Sequence, residues 1–380
     1  MIKWRASNIP PPVPQTPDRL LFECLRPYAD QPWWEGVNLW EPSVQLALKD
    51  LCQPGSVAFD VGANVGGLTS VMSRLVGPRG IVCSFEASPR IFNHLQLNII
   101  KQGFHNVVAY QRAVYSRSRE LVKIFHGDQL NDSIYNQPHV ASGAYSTVES
   151  LALDDFVNIV GLVPHLIKMD IEGAEYDALV GSAAVVEKHA PHLILEQQTD
   201  DERCLNFLLD RGYRAVDLNT LRPIEQISDY PVRVGLRNVL FVHQTKVSEL
   251  PYRIPVDRDV ILDIPAAAFR VGVADCSAGP FRLPAGRYLA DMRFTAQGTN
   301  NEMICGARVD DQIILRYHAY TKLLADSYRD WIFDLQREAN LELFFSFCAN
   351  SADGTFSIEG GTLSRVREFN PKLNASFLLK

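Results

Sequence analysis

No two of the seven cysteines stand in a C-x-x-C spacing, and their number is odd. Cys24, Cys52, Cys83, Cys204, Cys276, Cys305 and Cys348 are scattered along the chain. This excludes a zinc knuckle and a disulfide framework, and it favours a reducing compartment. Long apolar runs are also lacking. Nothing is long enough to span a bilayer, and no apolar signal core follows the first basic residues. A cytoplasmic protein without a membrane partner is expected. Nor is there an excess of base: 37 Lys and Arg against 44 Asp and Glu leave a net charge of −7. Phosphate neutralisation holds nucleic acids, so no nucleic-acid partner is expected. The nine histidines form only one close pair, His189 and His192, which flank Pro191 and read as loop residues.

What is present is an ordinary globular composition, 47% apolar and 21% charged over 380 residues. That length calls for two domains. The first part, residues 1–48, includes the polyproline-like run Ile9-Pro10-Pro11-Pro12-Val13-Pro14 and aromatic clusters at Tyr28 and Trp33-Trp34. It serves either as packing or as a lid. Val44, Leu48 and Leu51 recur at helical spacing, with Ser43 as a cap. Residues 49–248 alternate strands and helices, which implies a parallel sheet covered on both faces. The strands are Ser56–Val61, Gly80–Phe85, Val107–Tyr110, Leu166–Met169 and His192–Leu195. Helices are expected over Leu68–Leu75, from Ser88-Pro89 to about Lys101, and over Glu202–Asp210. Tyr213–Leu218 and Asn238–Val242 follow without a clear helix between them, as an antiparallel hairpin at one edge. Residues 126–150 read as a polar, irregular loop with His126, Asn131, Asp132, Tyr135 and His139. Beyond residue 249 the helical period disappears. Short β-like runs separated by turns, from Val260–Ile264 and Phe269–Val273 to Phe356–Ile358, predict a β-sandwich over 249–380. Trp331, Tyr317, Tyr320 and Tyr328 either fill its core or offer faces to a sugar.

The strand–turn–helix at 56–75 carries the clearest chemistry. In Asp60-Val61-Gly62-Ala63-Asn64-Val65-Gly66 the glycines permit unusual backbone angles and close approach of a ligand. The following helix start offers free amides and partial positive charge. A dinucleotide fingerprint would need G-x-G-x-x-G, but Asn64 holds the second glycine position, and no G-K-[ST] follows for a P-loop. Asp60 at the entrance would repel phosphate and suit a ligand with an ammonium or sulfonium group. Glu86, ending the second strand, is placed to accept ribose hydroxyls.

These residues, with Glu86-Ala87-Ser88-Pro89, Leu95, Asn98 and the segment Ile167-Lys168-Met169-Asp170-Ile171-Glu172-Gly173-Ala174-Glu175, resemble the FkbM family of methyltransferases over about residues 50–245. The resemblance implies an α/β fold: a Rossmann-like class I methyltransferase sheet of seven strands, the last antiparallel. It also implies S-adenosyl-L-methionine as cofactor. Asp60, Gly62, Asn64 and Gly66 would line its methionine part, Glu86 would hold its ribose, residues near Arg112-Ala113-Val114 would face its adenine, and Ala87 is a further cofactor-binding residue. The implied reaction is methylation of a hydroxyl oxygen, often on a sugar or natural product.

Asp170, Glu172 and Glu196 are the catalytic candidates, because carboxylates at strand ends can position a hydroxyl and take its proton. Glu175, at a helix start, serves equally as a dipole stabiliser. Asp170, Glu196 and Gln197 offer hard oxygen donors for magnesium as an alternative to metal-free chemistry. The expected partner is a small-molecule or glycan hydroxyl acceptor. The competing readings are a catalytically inactive binding protein carrying a carbohydrate-recognition module and a nicotinamide-dependent oxidoreductase, which Asn64 disfavours.

Overall fold

The computed structural model describes residues 2–4, 41–127, 132–134, 144–230, 236–271, 276–297, 302–320, 329–348 and 355–369. The proline run, Trp33-Trp34, Asn131, Tyr135, His139 and Tyr328 lie outside the described residues, as do the side chains of Tyr317 and Tyr320.

In chain order the first elements are β1 (Ile2–Trp4), α1 (Pro42–Leu51), β2 (Val57–Val61), α2 (Gly67–Val76), β3 (Ile81–Phe85), α3 (Pro89–Gln102) and β4 (Val107–Tyr110). Next come β5 (Ala113–Val114), β6 (Leu121–Phe125), β7 (Tyr145–Leu151), α4 (Leu153–Val160), β8 (Leu166–Met169), α5 (Glu175–Val180), α6 (Ala183–His189) and β9 (His192–Gln198). Then follow α7 (Arg203–Leu209), β10 (Tyr213–Asp217), β11 (Pro223–Ile224) and β12 (Leu236–His243). One eight-stranded sheet takes the order β11-β10-β12-β9-β8-β2-β3-β4. Strands β9, β8, β2, β3 and β4 run parallel, while β12 is antiparallel to both β9 and β10. β8 is apolar apart from Lys168 and buried throughout, as a parallel strand covered on two faces must be.

Several expectations need correction. Residues 126–150 are not all irregular, since Tyr145–Leu151 is a strand pairing with β6 and β5. Its polar, mostly half-exposed sequence hid it. Ser43 is inside α1, which Pro42 opens; the capping position belongs to Glu41, at φ 43°. Of the two readings of His192, loop residue and first residue of a strand, the second holds: His192 opens β9 and is fully buried. β9 continues to Gln198, so Glu196 lies within the strand. Helices α4, α5 and α6 were not anticipated.

The rest of the chain is β-rich: β13 (Arg258–Pro265), β14 (Arg270–Val271), β15 (Cys276–Leu283), β16 (Gly286–Gln297), β17 (Glu302–Val309), β18 (Gln312–Tyr320), β19 (Asp330–Leu335), β20 (Ala339–Cys348) and β21 (Thr355–Val366). They form two five-stranded sheets, β1-β21-β16-β19 with β13 also on β21, and β14-β15-β20-β17-β18. A shared core that includes Trp331, Phe294, Phe345 and Leu363 fills the space between them. Trp331 is completely buried, so it supplies packing and offers no face to a sugar.

α1 is wedged between the two parts. Its Leu48 and Leu51 share a core with Val71 and Met72 of α2 and with Leu289 and Ile332 of the sandwich. The contact is also ionic. Arg287, 1% exposed, donates to Asp50 of α1 (Nη2–Oδ1 3.1 Å) and to Asp334 (Nε–Oδ1 2.7 Å). Lys49 reaches Asp334 at 3.2 Å, and Arg237 joins Asp217 of the first sheet (2.7 Å) to Asp330 of the second (3.4 Å).

Candidate functional site

The glycine loop follows β2. Gly62 and Ala63 both donate their amides to Phe85 O at 2.9 Å, bending the chain over the end of β3. Gly62 has φ 77°, and a Cβ there would sit 1.7 Å from Asp170 O, so only glycine fits. Asn64 adopts φ 50°, and its own Oδ1 accepts the Val65 amide at 2.8 Å. Asparagine tolerates this left-handed conformation better than other side-chain-bearing residues. Gly66, at φ 93°, lies against Leu95, and Asn98 Nδ2 donates to Val65 O at 2.7 Å. Leu95 and Asn98 thus hold the loop from α3.

Asp60 lies beneath this loop. Its side chain is fully buried and accepts the Thr69 hydroxyl at 2.5 Å. It therefore braces the loop against α2. Its Oδ1 has no hydrogen-bond partner among the described residues. Glu86 accepts the amides of Asn64 (2.9 Å) and Ser88 (2.8 Å). An ionised carboxylate has about four acceptor sites, so two remain for ribose hydroxyls. Burial pushes Glu86 up to about 7, against the pull of those two amides. Ala87 packs beside the buried Ala113. Arg112 donates to Gln111 O at 2.8 Å and lies 3.8 Å from Glu149 of β7.

Across the crevice stand the acids at the ends of β8 and β9. The Asp170 amide donates to Val61 O at 3.0 Å, which fixes the residue against the glycine loop. Lys168 Nζ is 3.1 Å from Asp170 Oδ2 and nearly buried. Burial pulls the ammonium down, but Asp170, Glu41 and Asp60 together push it up, so it stays charged. One carboxylate oxygen from each of Glu41, Asp170 and Glu196 falls within 4.8 Å of the others. Burial, then the neighbouring carboxylates Asp170 and Glu41, raise Glu196 well above its ordinary range. Glu172 sits at φ 56° on the turn after β8, and burial with Asp170 and Glu175 nearby raises it to about 7. Glu175 accepts the Ile171 amide at 2.8 Å, a turn-holding role.

Gln197 does not join these acids. Successive strand residues face opposite sides, and Gln197 turns to the Cys204 side of β9. Its place in the cluster is taken by Glu41, held by Asn238 Nδ2 at 2.9 Å. Glu41, Asp170 and Glu196 are hard oxygen donors that would suit magnesium, while Lys168 already supplies positive charge to the same carboxylates. Glu41 and Asn238 were missed from the sequence, because nothing local connects them to residue 170. Lys168 did leave a signal: a lone charge in an apolar parallel strand.

A sheet of this order, with a glycine turn after its first parallel strand and an acid closing the second, is that of class I methyltransferases, which use S-adenosylmethionine. Residues 60–215 match the model described as Methyltransferase FkbM domain, so that part of the chain is similar to the FkbM methyltransferases. A protein-L-isoaspartate O-methyltransferase of Triticum aestivum is 38% identical over 87 residues, 21% of this chain and 38% of that protein. A fibrillarin-like rRNA/tRNA 2'-O-methyltransferase of Pyrobaculum calidifontis is 31% identical over 109 residues, 24% of this chain and 47% of that one. The chain thus spans less than half the length of these two curated relatives. Among solved structures, the methyltransferase FkbM of Methylobacillus flagellatus KT is similar, at 16% identity and a TM-score of 0.37, over 60% of this chain and 54% of that one.

Proposed function

We propose that the protein transfers a methyl group from S-adenosylmethionine to a hydroxyl oxygen of a sugar or glycosylated metabolite. The observation that carries this reading is the position of Asp170, backed by Lys168 at 3.1 Å and fixed by its amide against the loop at 3.0 Å. The cofactor, when bound, supplies an electrophilic methyl group and leaves as a neutral thioether. Glu86 holds its ribose, and the loop backbone from Gly62 to Gly66 holds its methionine part. Asp170 orients the acceptor hydroxyl and takes its proton as the new bond forms. Glu196 and Glu172, raised by burial and by neighbouring acids, donate hydrogen bonds when protonated and so anchor further acceptor hydroxyls. Methyl transfer needs alignment more than charge stabilisation, and rigid positioning is worth up to about 7–11 kcal/mol. Proton removal contributes about 10²–10⁴-fold. Both curated relatives are named as O-methyltransferases, which supports oxygen as the acceptor atom. A sugar acceptor accords with the appended β-sandwich.

The test is titration with S-adenosylhomocysteine, followed by incubation with labelled cofactor and a panel of glycosides, amines and carboxylates. Binding that Glu86→Ala abolishes, with label in a methyl ether, supports the reading. Label only in amines or carboxylates overturns the hydroxyl assignment. No binding to folded protein overturns the cofactor assignment as well.

A further inference from the structure

The amino ends of the central strands carry a second group of side chains, which methyl transfer does not use. His165 immediately precedes β8 and His192 opens β9, with the His192 amide donating to His165 O at 2.9 Å. Their rings meet edge to face, 5.1 Å between centroids. Glu249 ends the 3-10 turn Gln244–Glu249, by which the chain leaves β12. Its Oε2 lies 2.9 Å from His192 Nε2 and 3.5 Å from His165 Nε2. One donor atom from each residue falls within 4.8 Å of the other two. A tetrahedral zinc ion bound at about 2.0–2.2 Å sets its donors roughly 3.3 Å apart. The carboxylate is therefore already at ligand spacing from both imidazoles.

We propose that His165, His192 and Glu249 form a binding site for a zinc-class divalent cation. Two imidazoles and a carboxylate with one open position are a zinc ligand set. Imidazole donors favour such ions over magnesium. His192 is carried by a central strand, which holds donors more rigidly than a loop, and His165 abuts the neighbouring strand β8. His192 is fully buried, while the side chains of His165 and Glu249 are 19% and 30% exposed, giving an ion and its water ligand a way in. Lys246, the nearby cation, is drawn to His189 O at 3.1 Å. The four residues of β8 separate this site from Asp170, roughly 16 Å at about 3.3 Å per residue. The ion would fasten the exit turn to the sheet and take no part in the reaction. The described cysteines Cys52, Cys83, Cys204, Cys276 and Cys305 are buried and offer no competing thiolate.

The experiment uses the full chain, stripped with chelator and titrated with Co²⁺. The expected result is one equivalent bound with the visible absorption of four-coordinate cobalt, displaced by Zn²⁺, and a raised melting temperature. His165→Gln and Glu249→Gln, both at part-exposed positions, each weaken binding at least tenfold and remove the Zn²⁺-dependent shift, with near-UV circular dichroism unchanged. Asp170→Asn binds like wild type. Failure of the wild type to take up either ion overturns the proposal. So does wild-type binding by both histidine-site variants. Loss of binding in Asp170→Asn places the ion in the crevice and overturns it too.

Discussion

Replacing Gly62 by alanine tests how closely the glycine loop is fitted to Asp170. The new Cβ meets Asp170 O at 1.7 Å, Asp170 C at 2.8 Å and Ile171 Cγ2 at 3.0 Å, where ordinary contact begins at 3.4 Å. The loop and the end of β8 must therefore separate by up to the difference, about 1.7 Å. A second cost is conformational, since φ is 77°, and a side chain in that region costs about 1–2 kcal/mol. Overpacking adds about 1–3 kcal/mol. The sum is about 2–5 kcal/mol of folding stability. A misplacement of about 1 Å costs turnover about 10²-fold, so the variant should lose at least that. Gly55→Ala is the matched control, because Gly55 has φ 84° and nothing within 4 Å of the added Cβ. It should lose only the conformational share and keep turnover. Urea denaturation gives the stabilities, and single-turnover methyl transfer gives the rates. Equal stability losses in the two variants, with unchanged turnover in Gly62→Ala, would refute the close fit of loop to acid.

Three further outcomes are expected. Asp170→Asn should lower kcat by about 10²–10⁴-fold while S-adenosylhomocysteine affinity, read by calorimetry, stays near wild type. Glu86 rises from 4.5 to about 7 on folding, so the folded state binds the extra proton between those values. The cofactor-free protein should then lose stability as pH rises through that window, by on the order of 3 kcal/mol. S-adenosylhomocysteine affinity should increase as pH passes 7, because only the carboxylate accepts both hydroxyls; Glu86→Gln should flatten both trends. Arg287→Met leaves Asp50 without its buried partner and Asp334 with Lys49 alone, and should cost about 3–5 kcal/mol in urea denaturation.

The glycine loop was legible because its requirements are local. Positive φ at Gly62 and Gly66 and at Asn64 is written into residue type. The alternation of β2, α2, β3 and α3 was legible for the same reason, and Ser88-Pro89 did mark where α3 begins, although the serine side chain makes no cap bond. The acid cluster was only half legible. Asp170 and Glu196 sit at ends of strands that periodicity reveals, but Glu41 reaches them because α1 docks between sheet and sandwich, which no spacing encodes. Gln197 was misplaced by a boundary: reading β9 as ending at Leu195 removed the alternation that sends Glu196 and Gln197 to opposite faces. At His192 the adjacent Pro191 argues for a loop and the apolar run His192–Leu195 for a strand; the strand reading holds, since β9 starts at His192. In the sandwich, β15 and β17 went unread, since Cys276–Leu283 and Glu302–Val309 carry glycine or proline within the strand.

The pairing of Ile2, Lys3 and Trp4 with Ile358, Ser357 and Phe356 bears on how the chain is made. A ribosome delivers β1 well before its partner β21. At about 5–20 residues per second, roughly 20–70 s of synthesis separate the two strands. During that time the sheet of the first part can fold, while β1 lacks the one strand it pairs with among the described residues. The sandwich is then completed around a core that already exists. β21 closes that sheet by joining residues made far apart in time.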